Sequence, residues 1–555
     1  MEDLPGKPGG AAESRSIAPR TAEGYCGAGL RVLWEGEMAL RLGILHYHLN
    51  PGGVTRVIEN HLLGLDAVWT GEPARVVLLH GGRSDGFRRE LLERLRNVEL
   101  ATATLPELDY DELHGRTDLG GEELAAATAA VLEDAGLPAR ETILHVHNHG
   151  LGKNRALCEA LGRLAERGYA LLLHIHDFAE DLRVANYRRV AALPAHVRYP
   201  QGPAIHYAVL NGRDHNILAD AGVPAERLHL LPNPAPPVEP RRDRAAARQR
   251  LHKLFDVAPE QRFLLYPVRG IRRKNVGEAV LLSVLARAET VVGLTLAPIN
   301  PAERGAFQHW NRLVAARGLP FRCEVGGSGG LSFAENLAAA DGLVTTSLAE
   351  GFGMVFLEAW QVGLPLAGRD LPEITLDFVR VGLRLDRLQS RLEVPIRWLG
   401  APRFAGRVAE AFTQTQEAYG LSRRASAEDV LAVKVIEGCV DFGDLDEEMQ
   451  AEVVERVDGD PAARRELIAL NGRLATALSL DAAAEARTIA ENARVVEERF
   501  SPAATGRRLS VLYRELAAGE RGGRPVAPPH PQRILDRFLE LGRFRLIRGS
   551  APPAS

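Results

Sequence analysis

The chain has 555 residues, 46% apolar and 25% charged. This is the composition of a globular protein and a length for two domains rather than one. Its 68 basic and 72 acidic residues leave a net charge of −4, which excludes a general nucleic-acid binder, whose partner demands a basic excess. Cys26, Cys158, Cys323 and Cys439 stand without CxxC spacing, which excludes a disulfide framework and a cysteine zinc site. No run approaches the ~18 apolar residues of a membrane span.

In chain order, residues 1–37 are rich in Gly, Pro, Ser and charge and read as a disordered leader, with Met38 as an alternative start. Short apolar runs then alternate with helical ones. LGILHYHL, ARVVLLHG, ETILHVHNHG, YALLLHIHD and AIHYAVLN read as strands, separated by helices such as GGVTRVIENHLLGL and RALCEALGRLAERG. Such alternation predicts a parallel sheet covered on both faces. LLPNPAPPVEPRR breaks the pattern, and a second series follows: QRFLLYPVR, ETVVGLTLAP and DGLVTTSL as strands, VGEAVLLSVLARA and GMVFLEAWQVG as helices. The predicted layout is an N-terminal Rossmann-like domain over 38–235, a linker over 236–259 and a second such domain over 260–490. An insertion of about 376–455 interrupts the second domain. Closing helices span 491–518, and a linker with a basic tail helix spans 519–555.

In open parallel sheets ligands bind beyond the carboxyl ends of the strands. Three first-half strands end in HxH: His46/His48, His145/His147 and His174/His176. Each pair shares a face. Zinc is one reading, but the pairs stand on separate strands without a metal-spaced carboxylate. The plainer reading packs the inner histidines in the sheet and turns His176, followed by Asp177, to a substrate. Gly52 and Gly53, after the first strand, free backbone N–H groups at a helix start where anions are favoured; an ordinary turn reads the same way.

The second half is more specific. Arg269, Arg272, Arg273 and Lys274 crowd the end of a strand, as a polyanion such as a diphosphate would require; a solvated basic turn is the plainer alternative. Glu350 lies in the loop at the end of the strand DGLVTTSL, Gly351-Phe352-Gly353-Met354 opens a helix and Glu358 falls about a turn inside it. Bare N–H groups suit a phosphate, and carboxylates suit sugar hydroxyls.

EGFGMVFLEAWQVGLP resembles the E-x7-E segment of retaining GT-B glycosyltransferases, family 4 in particular. Arg269 and Lys274 resemble that family's diphosphate pair, Asn50-Pro51-Gly52-Gly53-Val54 its N-terminal glycine loop, and AERLHLLPNPAPP the end of its first domain. The likeness runs from about Met38 to Leu516, with the insertion outside it. It implies an α/β GT-B fold: two doubly wound Rossmann-like domains face a cleft, and C-terminal helices cross back to the first. It further implies hexose transfer from a nucleotide-diphosphate sugar to an acceptor hydroxyl, with an α-linked product. His176, Arg269, Lys274 and Glu350 would be catalytic. Gly52, Gly53, Gly351, Phe352, Gly353, Met354 and Glu358 would bind the donor, with no metal or other cofactor required. Pro232-Asn233-Pro234, Asn211-Gly212-Arg213 and Gly368-Arg369-Asp370-Leu371-Pro372-Glu373 depart from the family's usual loops.

Lys153, Arg155, Arg183 and Arg198 admit an anionic acceptor. Arginines at 533, 537, 543, 545 and 548, beside apolar residues, admit weak peripheral contact of 533–548 with an inner membrane face, or a helix docked on the body. Cytoplasmic location is expected. The competing functions are a non-catalytic sugar-nucleotide binder, a GT-B-shaped epimerase and a metal-dependent hydrolase on the HxH strands.

Overall fold

The computed structural model describes residues 39–549 apart from 117, 239–242, 287–288 and 474–477. The leader expected over 1–37 lies outside the described residues.

Seven parallel strands form the first sheet: β1 (Arg41–Leu45), β2 (Ala74–His80), β3 (Val98–Thr104), β4 (Thr142–His147), β5 (Ala170–Ile175), β6 (Ile205–Val209) and β7 (Leu228–Leu230), in the order β3-β2-β1-β4-β5-β6-β7. Every residue of β4 and β5 is buried, because helices cover both faces of a parallel sheet and its strands must be apolar throughout. The second sheet has six: β8 (Arg262–Arg269), β9 (Thr290–Leu296), β10 (Phe321–Arg322), β11 (Gly342–Thr345), β12 (Leu366–Arg369) and β13 (Leu388–Gln389), ordered β10-β9-β8-β11-β12-β13. Both orders reverse beside the first strand of each series, the doubly wound arrangement with a crevice at that point.

The closing helices do cross back. Ala486–Phe500 packs on the second domain, and Pro502–Ala518 lies along helix Gly53–Val68 of the first. Glycine makes this crossing possible. A Cβ on Gly64 would stand 2.0 Å from the Pro502 carbonyl oxygen, and one on Gly506 1.9 Å from that of Gly64. The Tyr513 hydroxyl then reaches His145 Nδ1 at 2.8 Å.

Two expectations need correction. Helix Arg244–Phe255 fills half of the expected 236–259 linker. It buries Ala247 and Leu251, and its Arg248 pairs with Asp341, so it belongs to the second domain. The insertion begins later than 376, since β13 still completes the sheet. Beyond it, strands β14 (Glu393–Pro395) and β15 (Cys439–Asp441) pair antiparallel, and Val394, Phe404, Val440 and Val454 join the second domain's core. Helix Ala401–Ala418 of this segment ends at Tyr419, whose ring packs 4.9 Å from Tyr187 of the first domain.

The basic tail is docked on the body. Ile534, Leu535, Phe538, Leu539, Phe544, Leu546 and Ile547 are all buried, which removes the apolar face a membrane contact would need. Its arginines are engaged as well: Arg537 with Asp220 at 3.2 Å, Arg543 with Glu373 at 2.6 Å, Arg548 with Asp181 at 3.0 Å and Arg545 with Asp444. Arg533 donates to the Asp220 carbonyl. The tail thus straps both domains together. No described helix is long and apolar enough to cross a membrane.

Candidate active site

The site lies where the carboxyl ends of β8 and β11 face the end of β5. After β8 the chain turns through Arg272–Lys274 and takes a left-handed conformation at Asn275 (φ 50°) before helix Val276–Leu285. Local hydrogen bonds hold that turn. The Thr346 hydroxyl donates to the carbonyls of Lys274 and Asn275 at 2.9 and 3.0 Å, and the Tyr266 hydroxyl donates to Lys274 O at 2.8 Å and lies 3.0 Å from Ser347 Oγ. Leu348 N–H donates to Arg273 O. The two loops therefore form one rigid unit, and their side chains converge. Glu350 accepts from Arg273 at 3.0 Å and pairs with Lys274.

Burial pushes the Glu350 carboxyl up, but Lys274 and Arg273 outweigh it and hold the group below the usual carboxylate range. Burial lowers the Lys274 ammonium, with Glu350 opposing. Two cations thus meet one carboxylate, leaving positive charge where a diphosphate would be stabilised. Glu358 is mostly buried, and no described side chain or backbone group hydrogen-bonds its carboxylate. Burial raises its pKa and Lys274 opposes. It faces the same cation from the first turn of helix Val355–Gln361.

Other expected residues are placed differently. Arg269 is exposed and donates to the Ala297 carbonyl at 3.2 Å, away from Glu350, whereas Arg273 takes the inward position. Phe352 points into the core against Phe378 and Phe500, so only its backbone can meet a donor. Gly353 has φ 87°, a left-handed turn that favours glycine. Helix Val355–Gln361 starts at Val355, after Gly351–Met354 rather than within them. Gly368 and Arg369, expected in a donor loop, belong to β12, and Arg369 is buried on Glu278 and Asp441.

The first domain closes on the second at this point. The His176 carbonyl oxygen would lie 3.4 Å from a Cβ on Gly351. Asn211 Nδ2 donates to Gly351 O at 2.7 Å, and Gly212 N–H donates to Asp377 at 2.5 Å. The His176 ring is buried, with Nε2 2.9 Å from His147 Nδ1. Burial pushes its pKa down to about 4, so it is neutral at pH 7. Gly52 and Gly53 are exposed, with open space around Gly53. Nearby, Lys153 and Arg83 each lie 5.0 Å from the Tyr110 ring centroid. Arg83 is paired with Asp109 and Arg183 with Asp177; Lys153 has no carboxylate partner among the described residues.

Sequence reasoning did not single out Arg273 or Asn211 and gave no role to Tyr266 or Thr346. The run Arg272-Arg273-Lys274 carried the signal for the first, but spacing alone does not say which of three adjacent cations turns inward.

Two Rossmann-like domains, a shared cleft and closing helices that return to the first domain define the GT-B architecture. No protein-family model matches the chain. The chain is 29% identical over 330 residues to mannosylglucosyl-3-phosphoglycerate synthase of Petrotoga mobilis, a match spanning 57% of this chain and 62% of that protein. Among solved structures, HepE of Anabaena in complex with UDP-glucose superposes with a TM-score of 0.46 at 12% identity, over 86% of this chain and 100% of that one. Sucrose-phosphate synthase of Thermosynechococcus elongatus gives 0.47 at 16%, over 86% and 99%. The fold assignment rests on the two strand orders and the crossing helix, not on these likenesses.

Proposed function

We propose that the protein is a retaining glycosyltransferase that moves a hexose from a nucleotide-diphosphate sugar to a hydroxyl of an anionic acceptor. The observation that carries this reading is the convergence of Arg273 and Lys274 on Glu350 at the switch point of the second sheet. The mannosylglucosyl-3-phosphoglycerate synthase relative, itself named for an anionic glycoside, supports both the reaction class and the charge of the acceptor.

In this mechanism the diphosphate displaces Glu350 from Lys274 and Arg273, and Arg269 meets its outer edge. Glu350, released, accepts hydroxyl hydrogens of the donor sugar, and Glu358 those of the ribose. Cations placed where leaving-group charge develops stabilise the transition state without a metal. The C1–O bond breaks with its electron pair passing to the diphosphate. The acceptor oxygen attacks C1 from the same face and gives its proton to a diphosphate oxygen, so configuration is retained and an α-configured donor gives an α-linked product. Neutral His176 orients a sugar hydroxyl rather than supplying charge. Lys153, the cation without a carboxylate partner, receives the acceptor's anionic group.

The buried histidines weigh against the hydrolase reading. A catalytic metal keeps an open position for water, and His145, His147 and His174 have no solvent exposure.

The test is a panel of nucleotide-diphosphate hexoses scored by nucleotide release, with and without glucosyl-3-phosphoglycerate, and with the anomeric configuration of the product read by NMR. Acceptor-dependent release and an α product are expected. No acceptor-dependent release with any donor overturns the transferase reading, and a β product overturns the retaining mechanism.

A further inference from the structure

Beneath the cleft floor lies a feature that the proposed transfer does not use. His145 and His147 from β4, His174 from β5 and His61 from helix Gly53–Val68 are all buried, and one nitrogen of each lies within 4.8 Å of the others. The separate strands that weighed against a metal in the sequence are neighbours in space, with His147 directly beside His174 in the sheet register. The fourth histidine comes from a helix, at a position no HxH pattern marks.

Part of this group is satisfied by the protein itself. Tyr513 Oη, His145 and His174 form a chain, with 2.8 Å from Oη to His145 Nδ1 and 3.1 Å from His145 Nε2 to His174 Nδ1. The rest is not. Among the described residues, neither ring nitrogen of His61 has a hydrogen-bond partner, nor does Nε2 of His147. A buried polar group without a partner costs about 1–3 kcal/mol, and this wall of the core is otherwise lined by Ile58, Leu62, Ile143, Leu172 and Leu509. Leucine at position 61 would fill the space without that penalty.

We propose that His61, His145, His147 and His174 bind one divalent transition-metal ion of the zinc type as a structural staple of the first domain. Neutral imidazole is the ligand form such ions take. A tetrahedral zinc with bonds of about 2.0–2.1 Å sets its ligand nitrogens about 3.3–3.4 Å apart, so the group must contract. His61 stacks on His145 and His174; a turn about χ2, a soft torsion for histidine, aims its nitrogen at a common centre. Tyr513 on the far nitrogen of His145 then acts as the outer partner that metal-bound histidines characteristically have. Four protein ligands leave no position for water, so the ion serves structure rather than transfer. It would tie β4 and β5 to helix Gly53–Val68, which begins at the exposed Gly52–Gly53 turn, and through Tyr513 to the closing helix.

The experiment uses the full chain, stripped with a chelator, reloaded with Zn²⁺ or Co²⁺ and desalted. About one ion per chain is expected, with the intense visible bands of tetrahedral Co²⁺ and four nitrogen ligands at about 2.0–2.1 Å by X-ray absorption. His61→Ala should lower retained metal at least tenfold, while His229→Ala, in the separate His206–His229 pair, leaves it unchanged. A folded wild-type chain that retains no metal overturns the proposal, as does metal retained equally by His61→Ala. If His61→Ala fails to fold, the wild-type ligand number decides: fewer than three nitrogen ligands overturns the site.

Discussion

Two ionic clusters flank helix Val276–Leu285 and use the same residue types for opposite ends. Arg369 is sealed in the second domain, with paired bonds to Asp441 at 2.8 and 2.9 Å and bonds to Glu278 at 2.5 and 3.0 Å. Glu278 also accepts from Asn275, and Asp441 from the Leu392 N–H. Four residues before Glu278, Lys274 joins Arg273 and Glu350 in a cluster with two cations for one carboxylate. There the Arg273 side chain is 42% exposed, and the Glu358 carboxylate accepts no hydrogen bond from a described residue. A closed network that satisfies every member fixes structure. One with surplus charge at a cleft is arranged for a ligand of the opposite sign. Composition does not separate them; access and charge balance do.

The comparison breaks most sharply at Arg369. Arg369→Met leaves Glu278 buried without a directly paired cation and Asp441 with only Arg545, 3.5 Å away, a change that costs about 3–5 kcal/mol. Urea melts should show that loss, with nucleotide-sugar KM in the remaining folded protein unchanged. Next in size, Lys274→Ala should cut transfer about 10²- to 10³-fold, in the range of losing one charge-stabilising donor. Its melting curve should stay close to wild type, because Arg273 still pairs with Glu350. If Lys274→Ala melted like Arg369→Met, the two clusters would not differ in kind.

The sequence made much of this legible. Both sheets follow from the alternating apolar runs. The E-x7-E stretch pointed to the candidate site because its two glutamates bracket a turn that a core would not tolerate. β7, β10, β12 and β13, only two to four residues long, escaped because periodicity needs length, and the seven-residue edge strand β3 escaped because VELATAT, largely solvent-facing, holds no apolar run. Arg369 was misplaced for the same reason: a short run with one glycine reads as a loop until a neighbouring strand pairs with it. The inward turn of Arg273 rather than Arg269 depends on Asn275 and the Thr346 hydroxyl, contacts about 70 residues apart in the chain. The docked tail was an even choice from sequence, because an amphipathic basic helix has the same pattern on lipid as on protein.

The sealed cluster also carries a pH signature. Burial, opposed by Arg369, pushes Glu278 up to about 7. A carboxyl raised in the folded state favours folding fully below its unfolded value near 4.5, and that contribution is lost as pH rises through 7. The whole effect is at most about 3 kcal/mol. Glu278→Gln removes the titration, so the wild-type melting temperature should fall relative to the variant's between pH 5 and 8. Parallel curves would show that Arg369 keeps Glu278 ionised throughout.

The smallest expected effect sharpens the open cluster. Arg269 is exposed and bonded to a backbone carbonyl, whereas Arg273 contacts Glu350 directly. An exposed cation is screened by water and salt. Arg269→Ala should therefore raise donor KM only a few-fold, about 1 kcal/mol or less, and the change should fade in 0.5 M salt. Arg273→Ala should lower kcat about tenfold or more, with weak salt dependence. Measuring kcat and KM for both variants at low and high salt separates the two positions. A larger, salt-insensitive loss at Arg269 would mean that donor binding reorganises the Arg269–Lys274 turn and draws Arg269 inward onto the diphosphate.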